Sequence, residues 1–296
     1  MNLVIGASGK LGSRITVRLL QNGKDVKAVS RNPEKLTTLQ SNGAGIIRGD
    51  LRDPSWMDEA LRGVQNLFIA SQGLFPPSRK NNMYTVDDTG NRNLIDAAKR
   101  AGAECVFFTS VYFAKPGAAA RFGRIKYKIE QNIKESGLQY TIVRPGAFIE
   151  THAIELIAAP LRKTGKVKFF GQARTPLRWI SVEDAADYVV SLVNGQNARN
   201  AVKVIGGPDV LSRTEALEVI EWLLGKKAKR SHLPVTVMRL IKAVAKPLNP
   251  GLSYLIDTAL AEEDPANDEE WTPTELDWTG RRKVDDVVHR WLNNKK

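Results

Sequence analysis

The chain has 296 residues, of which 42% are hydrophobic and 26% charged, and its formal net charge is +12. This length exceeds one small core and suits a large α/β domain with a smaller second lobe. The lone cysteine, Cys105, excludes a disulfide framework and a multi-cysteine metal site, so we expect a cytoplasmic location. No apolar run approaches the roughly 18 residues of a membrane span. The first residues lead straight into a glycine loop, and we therefore expect no signal peptide.

The positive charge is concentrated in one segment. Residues 225–251 carry seven basic side chains and no acidic one, whereas residues 257–277 carry only acidic charges. Because neighbouring blocks of opposite sign neutralise each other, we expect no specific nucleic-acid partner. Within the basic segment, residues 234–247 form an apolar stripe beside basic side chains. Either this stripe packs on the protein itself, or it makes a peripheral contact with an anionic membrane or a quinone-bearing surface.

The first half of the chain alternates short apolar runs with helical patterns. The runs predict strands at residues 2–5, 26–30, 45–48, 66–70, 105–109 and 140–144. Helices are predicted at residues 9–22, 33–41, 56–61, 85–101 and 121–136, several of them ending at a glycine. This order predicts parallel βαβ units, and hence a Rossmann-type doubly wound parallel sheet over residues 1–150 that binds ligands at the carboxyl ends of its strands.

After residue 150 the pattern becomes less regular. We predict helices at residues 152–162, 183–193 and 213–224, and strands at residues 167–170 and 202–205. Beyond residue 234 follow the amphipathic run, a linker rich in Pro, Asp and Glu, and a last helix at residues 282–291. We expect residues 151–296 to form a smaller C-terminal substrate lobe, some segments of which pack back on the first domain.

A glycine loop joins the first strand to the first helix. Gly6, Gly9 and Gly12 follow a strand and open a helix, which is the context of a dinucleotide-binding loop. The three glycines permit a tight turn, close approach of the backbone to a pyrophosphate, and close packing of helix on strand. Because the phosphates would sit at the helix N-terminus, we predict that the loop from Gly6 to Gly12 binds them, with contacts from Ser8, Gly9, Lys10 and Leu11.

The end of the second strand bears on the choice of cofactor. An acid at this point would bind the ribose 2′-hydroxyl of NAD, but the chain has Ser30 and Arg31. A hydroxyl and a guanidinium suit a 2′-phosphate, and Lys10 adds a second positive charge. We therefore predict NADP(H) in preference to NAD(H). The alternative is that Arg31 is a solvated residue before the helix that Asn32 caps.

The ends of the next two strands extend the predicted cofactor site. Asp50 is placed to accept a hydrogen bond from the adenine amino group, with Leu51 against the ring, although Asp50 also suits the cap of a turn. Ala70 and Ser71 end the fourth strand and are predicted to line the pyrophosphate and the nicotinamide ribose.

Taken together, these motifs resemble the atypical short-chain dehydrogenase/reductases of the NmrA-like type, which include sensor proteins, quinone reductases and phenylpropanoid reductases. The resemblance covers about two-thirds of the chain. It rests on Gly6-x-x-Gly9-x-x-Gly12, Ser30-Arg-Asn-Pro-Glu-Lys35, Gly49-Asp-Leu-Arg-Asp53, Asn93-Leu-Ile-Asp-Ala-Ala98, Thr109-Ser110, Ser136-Gly-Leu-x-Tyr-Thr-Ile-Val-Arg-Pro-Gly146 and Trp179-Ile-Ser-Val-Glu-Asp-Ala-Ala186.

The resemblance implies a Tyr-x-x-x-Lys pair and a serine as catalytic groups. Here Lys126 is present and Ser110 ends the fifth strand, but Phe122 stands at the tyrosine position. A phenyl ring cannot transfer a proton, so Lys126, alone or with Ser110, would have to handle it, or the acceptor would need little acid catalysis, or the protein does not turn over. Tyr112 is the best substitute for the missing tyrosine, and its alternative role is an aromatic wall of the pocket.

The remaining candidates concern the substrate. Pro145 follows the sixth strand and is predicted beside the nicotinamide, while Phe148 and Trp179 are candidates for an apolar substrate wall or for ordinary packing between lobes. The three histidines lack the spacing of a metal site, and we predict none. We predict an NADP(H)-dependent reductase of a small molecule, a quinone or another conjugated carbonyl compound. The alternative is a catalytically silent NADP(H)-binding sensor, regulator or assembly factor.

Overall fold

The computed structural model describes residues 1–74, 77–195 and 198–294. Its strands are β1 (Asn2–Ile5), β2 (Val26–Ser30), β3 (Gly45–Arg48), β4 (Asn66–Ile69), β5 (Cys105–Thr109), β6 (Gln139–Pro145), β7 (Ala147–Phe148), β8 (Lys166–Phe170), β9 (Leu177–Ile180), β10 (Ala201–Gly206), β11 (Val210–Leu211), β12 (Lys229–Leu233) and β13 (Trp278–Thr279).

The α-helices are α1 (Lys10–Gln21), α2 (Thr37–Ser41), α3 (Met57–Ala60), α4 (Asn91–Arg100), α5 (Arg121–Glu135), α6 (Ala159–Thr164), α7 (Val182–Ser191), α8 (Arg213–Leu224), α9 (Val235–Leu248), α10 (Pro250–Glu262), α11 (Asp268–Trp271) and α12 (Val284–Asn293). Two π-helical segments, Met83–Gly90 and Glu150–Ala158, run directly into α4 and α6, and short 3-10 turns cover Pro33–Leu36, Pro54–Trp56, Leu192–Asn194 and Pro265–Asn267.

Eight strands form one parallel sheet in the order β13-β10-β6-β5-β4-β1-β2-β3. The chain builds outward from β1 through β2 to β3, and then from β4 through β5 to β6 on the other side. The order therefore reverses between β1 and β4, which is where a doubly wound sheet opens a crevice for ligands. The predicted fold class is confirmed.

Both faces of this sheet are buried, as a parallel sheet requires. Leu3 and Ile5 point to the core beneath α3, α4 and α5, whereas Val4 points to the core beneath α1 and α7. Alternation along β1 thus serves two cores at once. The strands predicted at residues 2–5, 26–30, 45–48 and 105–109 are confirmed residue for residue.

The chain beyond residue 150 is divided between the two parts of the molecule. Strand β10 pairs with β6, β13 pairs with β10, and α7 packs on α1 through ion pairs from Arg14 and Arg18 to Glu183. These elements complete the large sheet and its helical layer. The C-terminal lobe holds the remainder, with the sheets β11-β9-β7 and β12-β8 and most of the later helices.

The linker rich in Pro, Asp and Glu contains more structure than its composition suggested. Helix α10 occupies residues 250–262, and its first turn is capped by the Asn249 side chain, which accepts a hydrogen bond from Leu252 N. Among the described residues, no helix combines the length and apolar content needed to cross a membrane. The cytoplasmic location stays a prediction.

Candidate active site

The three glycines of the loop after β1 leave little or no space for a Cβ atom. Gly6 has a φ of +80°, and a Cβ atom there would lie 3.0 Å from the backbone of Ala70 and Ser71. On Gly12 a Cβ atom would lie 2.3 Å from the Gly6 carbonyl oxygen. No side chain caps the start of α1 at Gly9, so the first amides of the helix stay available to an anion. This geometry fits the diphosphate of a dinucleotide.

The end of β2 lies beside this loop. The Ser30 hydroxyl donates to Ser8 Oγ at 3.0 Å and accepts from Asn32 N at 3.1 Å. Arg31 is exposed, and its Nη1 donates to the buried Asn81 Oδ1 at 2.8 Å. The Arg31 guanidinium is thus held at the end of β2 rather than left to move in solvent.

The other predicted cofactor contacts have partners within the protein. Lys10 Nζ lies 2.7 Å from Glu155 Oε2, on the π-helical segment that precedes α6. Asp50 is held by the guanidinium of Arg52, whose hydrogen bonds lower the pKa of that carboxyl group. Leu51 is 6% exposed and packs in the core. An adenine contact from Asp50 or Leu51 stays a prediction, and in it Arg52 would compete for the carboxylate.

A cavity of about 320 Å³ opens at the carboxyl ends of β4, β5 and β6. The wall of the cavity is mostly apolar. The cavity extends from the end of the glycine loop to α10 in the C-terminal lobe. The structure brings together in this wall eight of the predicted residues: Leu11, Ala70, Ser71, Ser110, Tyr112, Lys126, Pro145 and Phe148. The hydroxyl of Ser71 is buried there without a hydrogen-bond partner in the described part of the chain, so it is free to bind a ligand.

Lys126 is a buried cation at the floor of the cavity. Its Nζ lies 3.0 Å from Asp87 Oδ1 and donates to the Thr109 carbonyl at 3.3 Å. The ammonium also lies 4.9 Å from the centre of the Phe108 ring and 5.4 Å from that of Phe122. Phe122 therefore contributes a cation–π contact where a tyrosine would contribute a hydroxyl.

Asp87 is the partner that sequence reasoning missed at this point. It is fully buried in the π-helical segment, and its Oδ2 accepts from Gly73 N at 2.7 Å. Burial raises the pKa of Asp87, and the Lys126 charge opposes that rise. The pair fixes the position of the lysine without the help of a tyrosine.

Ser110 is committed to a buried network at the end of β5. Its hydroxyl donates to Glu130 Oε1 at 2.5 Å, and Arg144 donates to both oxygens of that carboxylate at 2.9 and 2.5 Å. Glu130 is fully buried. Although Ser110 lines the cavity, this network orients its hydroxyl toward Glu130.

The opposite wall carries a polar cluster of His152, Arg213 and Glu262. Glu262 is held by the Arg213 guanidinium, which also lies 3.1 Å from His152 Nδ1. Since arginine only donates hydrogen bonds, Nδ1 must accept, and the ring proton is on Nε2. Burial, with smaller contributions from the charges of Arg213 and Lys10, lowers the pKa of His152 to about 3. The histidine is neutral near pH 7.

Aromatic residues surround this cluster. The Tyr112 ring lies 5.2 Å from that of Phe113 and 6.3 Å from that of Trp271, and burial raises the pKa of its hydroxyl. Phe148 lines the cavity, and its contact with a substrate stays a prediction. Trp179 does not reach it, because its side chain is fully buried, meets His152 edge to face and donates its indole N–H to the Leu211 carbonyl at 2.7 Å.

Comparisons with known proteins agree with this architecture. The model of the NmrA-like family matches residues 2–292. The photosystem II assembly factor Ycf39 of Cyanophora paradoxa is 30% identical over 240 residues, 81% of this chain and 74% of that protein. The NAD(P)H azoreductase of Xenophilus azovorans is 29% identical over 230 residues, 77% of this chain and 76% of that protein. An NADPH-dependent quinone oxidoreductase of Escherichia coli, solved with NADPH, has the same fold, with a TM-score of 0.74 and 21% identity over 99% of this chain and 100% of that one.

Proposed function

Because the chain belongs to the NmrA-like family, we propose that it is an NAD(P)H-dependent reductase of quinones or other conjugated carbonyl compounds. The observation that carries this proposal is the 320 Å³ cavity, which joins the ends of the Rossmann strands to an aromatic wall with one polar cluster. Flat apolar walls with few polar groups suit a planar conjugated acceptor. The similar azoreductase and quinone oxidoreductase, by their names, act on acceptors of this kind.

The residues at the inner end of the cavity would hold the dinucleotide. The loop from Gly6 to Gly12 would take the diphosphate, while Ser71 and Lys126 would take the nicotinamide ribose. When bound, the reduced cofactor supplies a hydride, so the acceptor gains two electrons and needs one further proton. The protein must therefore polarise the acceptor oxygen and let a proton reach the reduced acceptor.

His152 is the group that we assign to the acceptor oxygen. Its Nδ1 is occupied by Arg213, and no described residue hydrogen-bonds to its Nε2, so the Nε2–H is a free donor in the cavity wall. A neutral imidazole is an effective hydrogen-bond donor to an oxygen that gains negative charge. Lys126 is then a positioning group for the ribose, and Tyr112 forms part of the aromatic wall.

The reductase assignment is tested by following NADPH oxidation with benzoquinones, naphthoquinones, azo dyes and conjugated enals. We expect turnover on at least one acceptor class, and a loss of about 100-fold in kcat for His152→Gln, the size of effect seen when one such donor is removed. The NADPH Kd of that variant should not change. His289→Gln, an exposed change on α12, is the matched control. Tight NADPH binding without turnover on any acceptor would reject the assignment.

For the cofactor we propose NADP(H), because Arg31 is fixed at the end of β2 by Asn81. Arg31→Ala should weaken NADPH binding by roughly 30-fold, the loss of one charged contact to phosphate. NADH binding should change by less than about threefold, since NADH lacks the 2′-phosphate. Arg62→Ala is the control, because this exposed arginine precedes β4 and therefore lies toward the amino ends of the strands, opposite to the carboxyl ends that line the cavity. Equal losses for both cofactors would contradict the preference.

The absence of a proton-donating hydroxyl at Phe122, where the resemblance predicts a tyrosine, favours a second candidate function. In this function the protein binds NADP(H) without turnover, and cofactor occupancy sets the state of a regulator or assembly factor. The similar protein from Cyanophora paradoxa is named as an assembly factor. The acceptor panel separates the two candidates, because only a silent protein binds NADPH tightly and leaves every acceptor unreduced.

A further inference from the structure

The opening of the cavity carries a positive charge. Most residues that line the cavity are buried or half-buried, but four of them are exposed and therefore mark its opening: Gln72, Leu156, Lys168 and Phe170. Gln72 follows β4 on the Rossmann side, and the other three belong to the C-terminal lobe. Lys168, on β8, is the charged member of this group.

The charges of the cavity wall are balanced except at Lys168. Of the other charged residues in the wall, Lys126 is paired with Asp87, and Arg213 is paired with Glu262. Lys168 forms no ion pair with any residue that the structure describes. Its ammonium group is therefore available to a ligand of opposite charge.

The side chains beside Lys168 add positive charge. Strand β8 pairs with β12 in parallel, with Lys166 opposite Lys229 and Lys168 opposite Ser231. Because side chains alternate between the faces of a strand, these four share one face of the two-stranded sheet, and all four are exposed. The Glu263 carboxylate is held elsewhere, by two backbone amides just beyond β8. An anion that approaches the opening thus meets three lysines on one face.

Apolar side chains adjoin this charge. Phe170 and Leu156 are 42 and 41% exposed at the opening, and the buried Phe169 lines the cavity between Lys168 and Phe170. Lysine has a flexible stem, so its ammonium can follow a ligand that lies against these rings. The combination suits a flat apolar molecule that bears an anionic substituent apart from its carbonyl group.

We propose that Lys168 selects acceptors that carry an anionic group, such as a carboxylate, a sulfonate or a phosphate. The ammonium binds the anion at the opening while the conjugated part of the acceptor enters the cavity. This proposal rests on the reductase assignment, because it names the chemical class of the acceptor. Since Lys168 is exposed, we expect a modest effect that weakens as salt is added.

A naphthoquinone sulfonate and the corresponding neutral sulfonamide test the proposal, because they have similar size and differ in charge. NADPH oxidation is followed with each acceptor at low salt. Lys168→Gln should lower kcat/KM for the sulfonate by roughly fivefold, the upper end of the range for an exposed charge pair, and leave the value for the sulfonamide unchanged. Lys168→Glu should lower the sulfonate value by roughly 25-fold, because attraction becomes repulsion of similar size.

The matched control is Lys134→Gln, which removes an exposed lysine in the last turn of α5, outside the cavity wall. It should leave both acceptors unaffected. An unchanged sulfonate value in Lys168→Gln, or equal losses for both acceptors, would overturn the proposal. So would a higher NADPH Kd in Lys168→Gln, because the lysine would then contact the cofactor instead of the acceptor.

A calorimetric titration with naphthalene sulfonate separates this proposal from the reductase assignment, because that probe accepts no hydride. Its Kd should rise by roughly fivefold in Lys168→Gln, whether or not any quinone is reduced. Reduction of the quinones without this rise would overturn the role of Lys168 and leave the reductase assignment intact. The rise without reduction of any acceptor would reject the reductase assignment and retain the anion-binding role of Lys168.

Discussion

The two walls of the cavity are built in different ways. On the Rossmann side, most lining residues lie at or just after the ends of parallel strands, so hydrogen bonds of the sheet position them; the exceptions lie on helices, as Lys126 does on α5, where Asp87 holds it. On the C-terminal side, His152, Arg213 and Glu262 come from three separate segments, and the partners of Arg213 are 61 and 49 residues away in the chain. Backbone geometry fixes the first wall, whereas side-chain electrostatics fixes the second.

This difference predicts that the two walls fail differently when they are altered. A change on the Rossmann side should remove cofactor binding while the rest of the fold survives. A change in the polar cluster should cost stability and turnover but leave the cofactor bound. The following variants test this separation.

The largest effect is expected for Gly12→Val. Its Cβ atom would lie 2.3 Å from the Gly6 carbonyl oxygen, so the loop must move away from its phosphate-binding shape. We expect NADPH affinity to fall by at least about 100-fold in calorimetric titration, because several backbone contacts to phosphate are lost together. Gly117→Ala, where a Cβ atom meets nothing within 4 Å, is the control. Normal NADPH binding by Gly12→Val would show that the loop does not hold the cofactor.

The local construction of this wall explains why sequence predicted it. Apolar runs, glycines at helix ends and the three-glycine loop are signals within a few residues, and they locate Ala70, Ser71 and Pro145 at strand ends without knowledge of the rest of the chain. The helix predicted at residues 85–101 begins in the structure as the π-helical segment Met83–Gly90. This segment places the Asp87 carboxylate within ion-pair distance of Lys126. No periodicity distinguishes such a turn from an α-helix.

The opposite wall gave no signal of this kind. The spacing of the histidines bears only on a metal site, and Arg213 and Glu262 are residue types that usually lie on the surface. Trp179 was a candidate for the wall because aromatic residues often line pockets, but a pattern cannot tell the surface of a cavity from the layer behind it. Strands β7, β11 and β13 have two residues each. Such strands are too short to show the alternation of apolar and polar residues that predicts a strand.

Arg213→Met should cause the largest loss of stability in the second wall. It leaves the Glu262 carboxylate, 8% exposed, without its cation, and such a loss costs about 3 kcal/mol in the free energy of unfolding. The double variant Arg213→Met/Glu262→Leu should recover most of it, because the buried charge is gone. Urea unfolding measures both. An NADPH Kd that rises with the loss of stability would contradict the separation of the walls.

His152 should make the protein sensitive to acid. An unfolded histidine has a pKa of about 6.5, and the folded value is about 3, so between these values the unfolded chain binds a proton that the folded chain does not. The stability contribution is present above pH 6.5 and is lost as the pH falls toward 3. We expect a loss of about 2 kcal/mol between pH 7 and pH 5. His152→Gln should remove this component, and His289→Gln should retain it; equal pH profiles would refute the assignment.

The smallest effect is expected for Tyr112→Phe, and it decides which side chain replaces the missing tyrosine. Burial raises the pKa of the Tyr112 hydroxyl, so this group stays protonated and competes with His152 as the donor to the acceptor oxygen. The variant keeps the ring against Phe113 and Trp271 and removes only the hydroxyl. We expect kcat to change by less than about threefold, under 0.7 kcal/mol in the barrier, whereas Tyr112→Ala should raise KM by opening the aromatic wall. A loss of about 100-fold in Tyr112→Phe, together with a normal kcat in His152→Gln, would transfer the donor role to Tyr112.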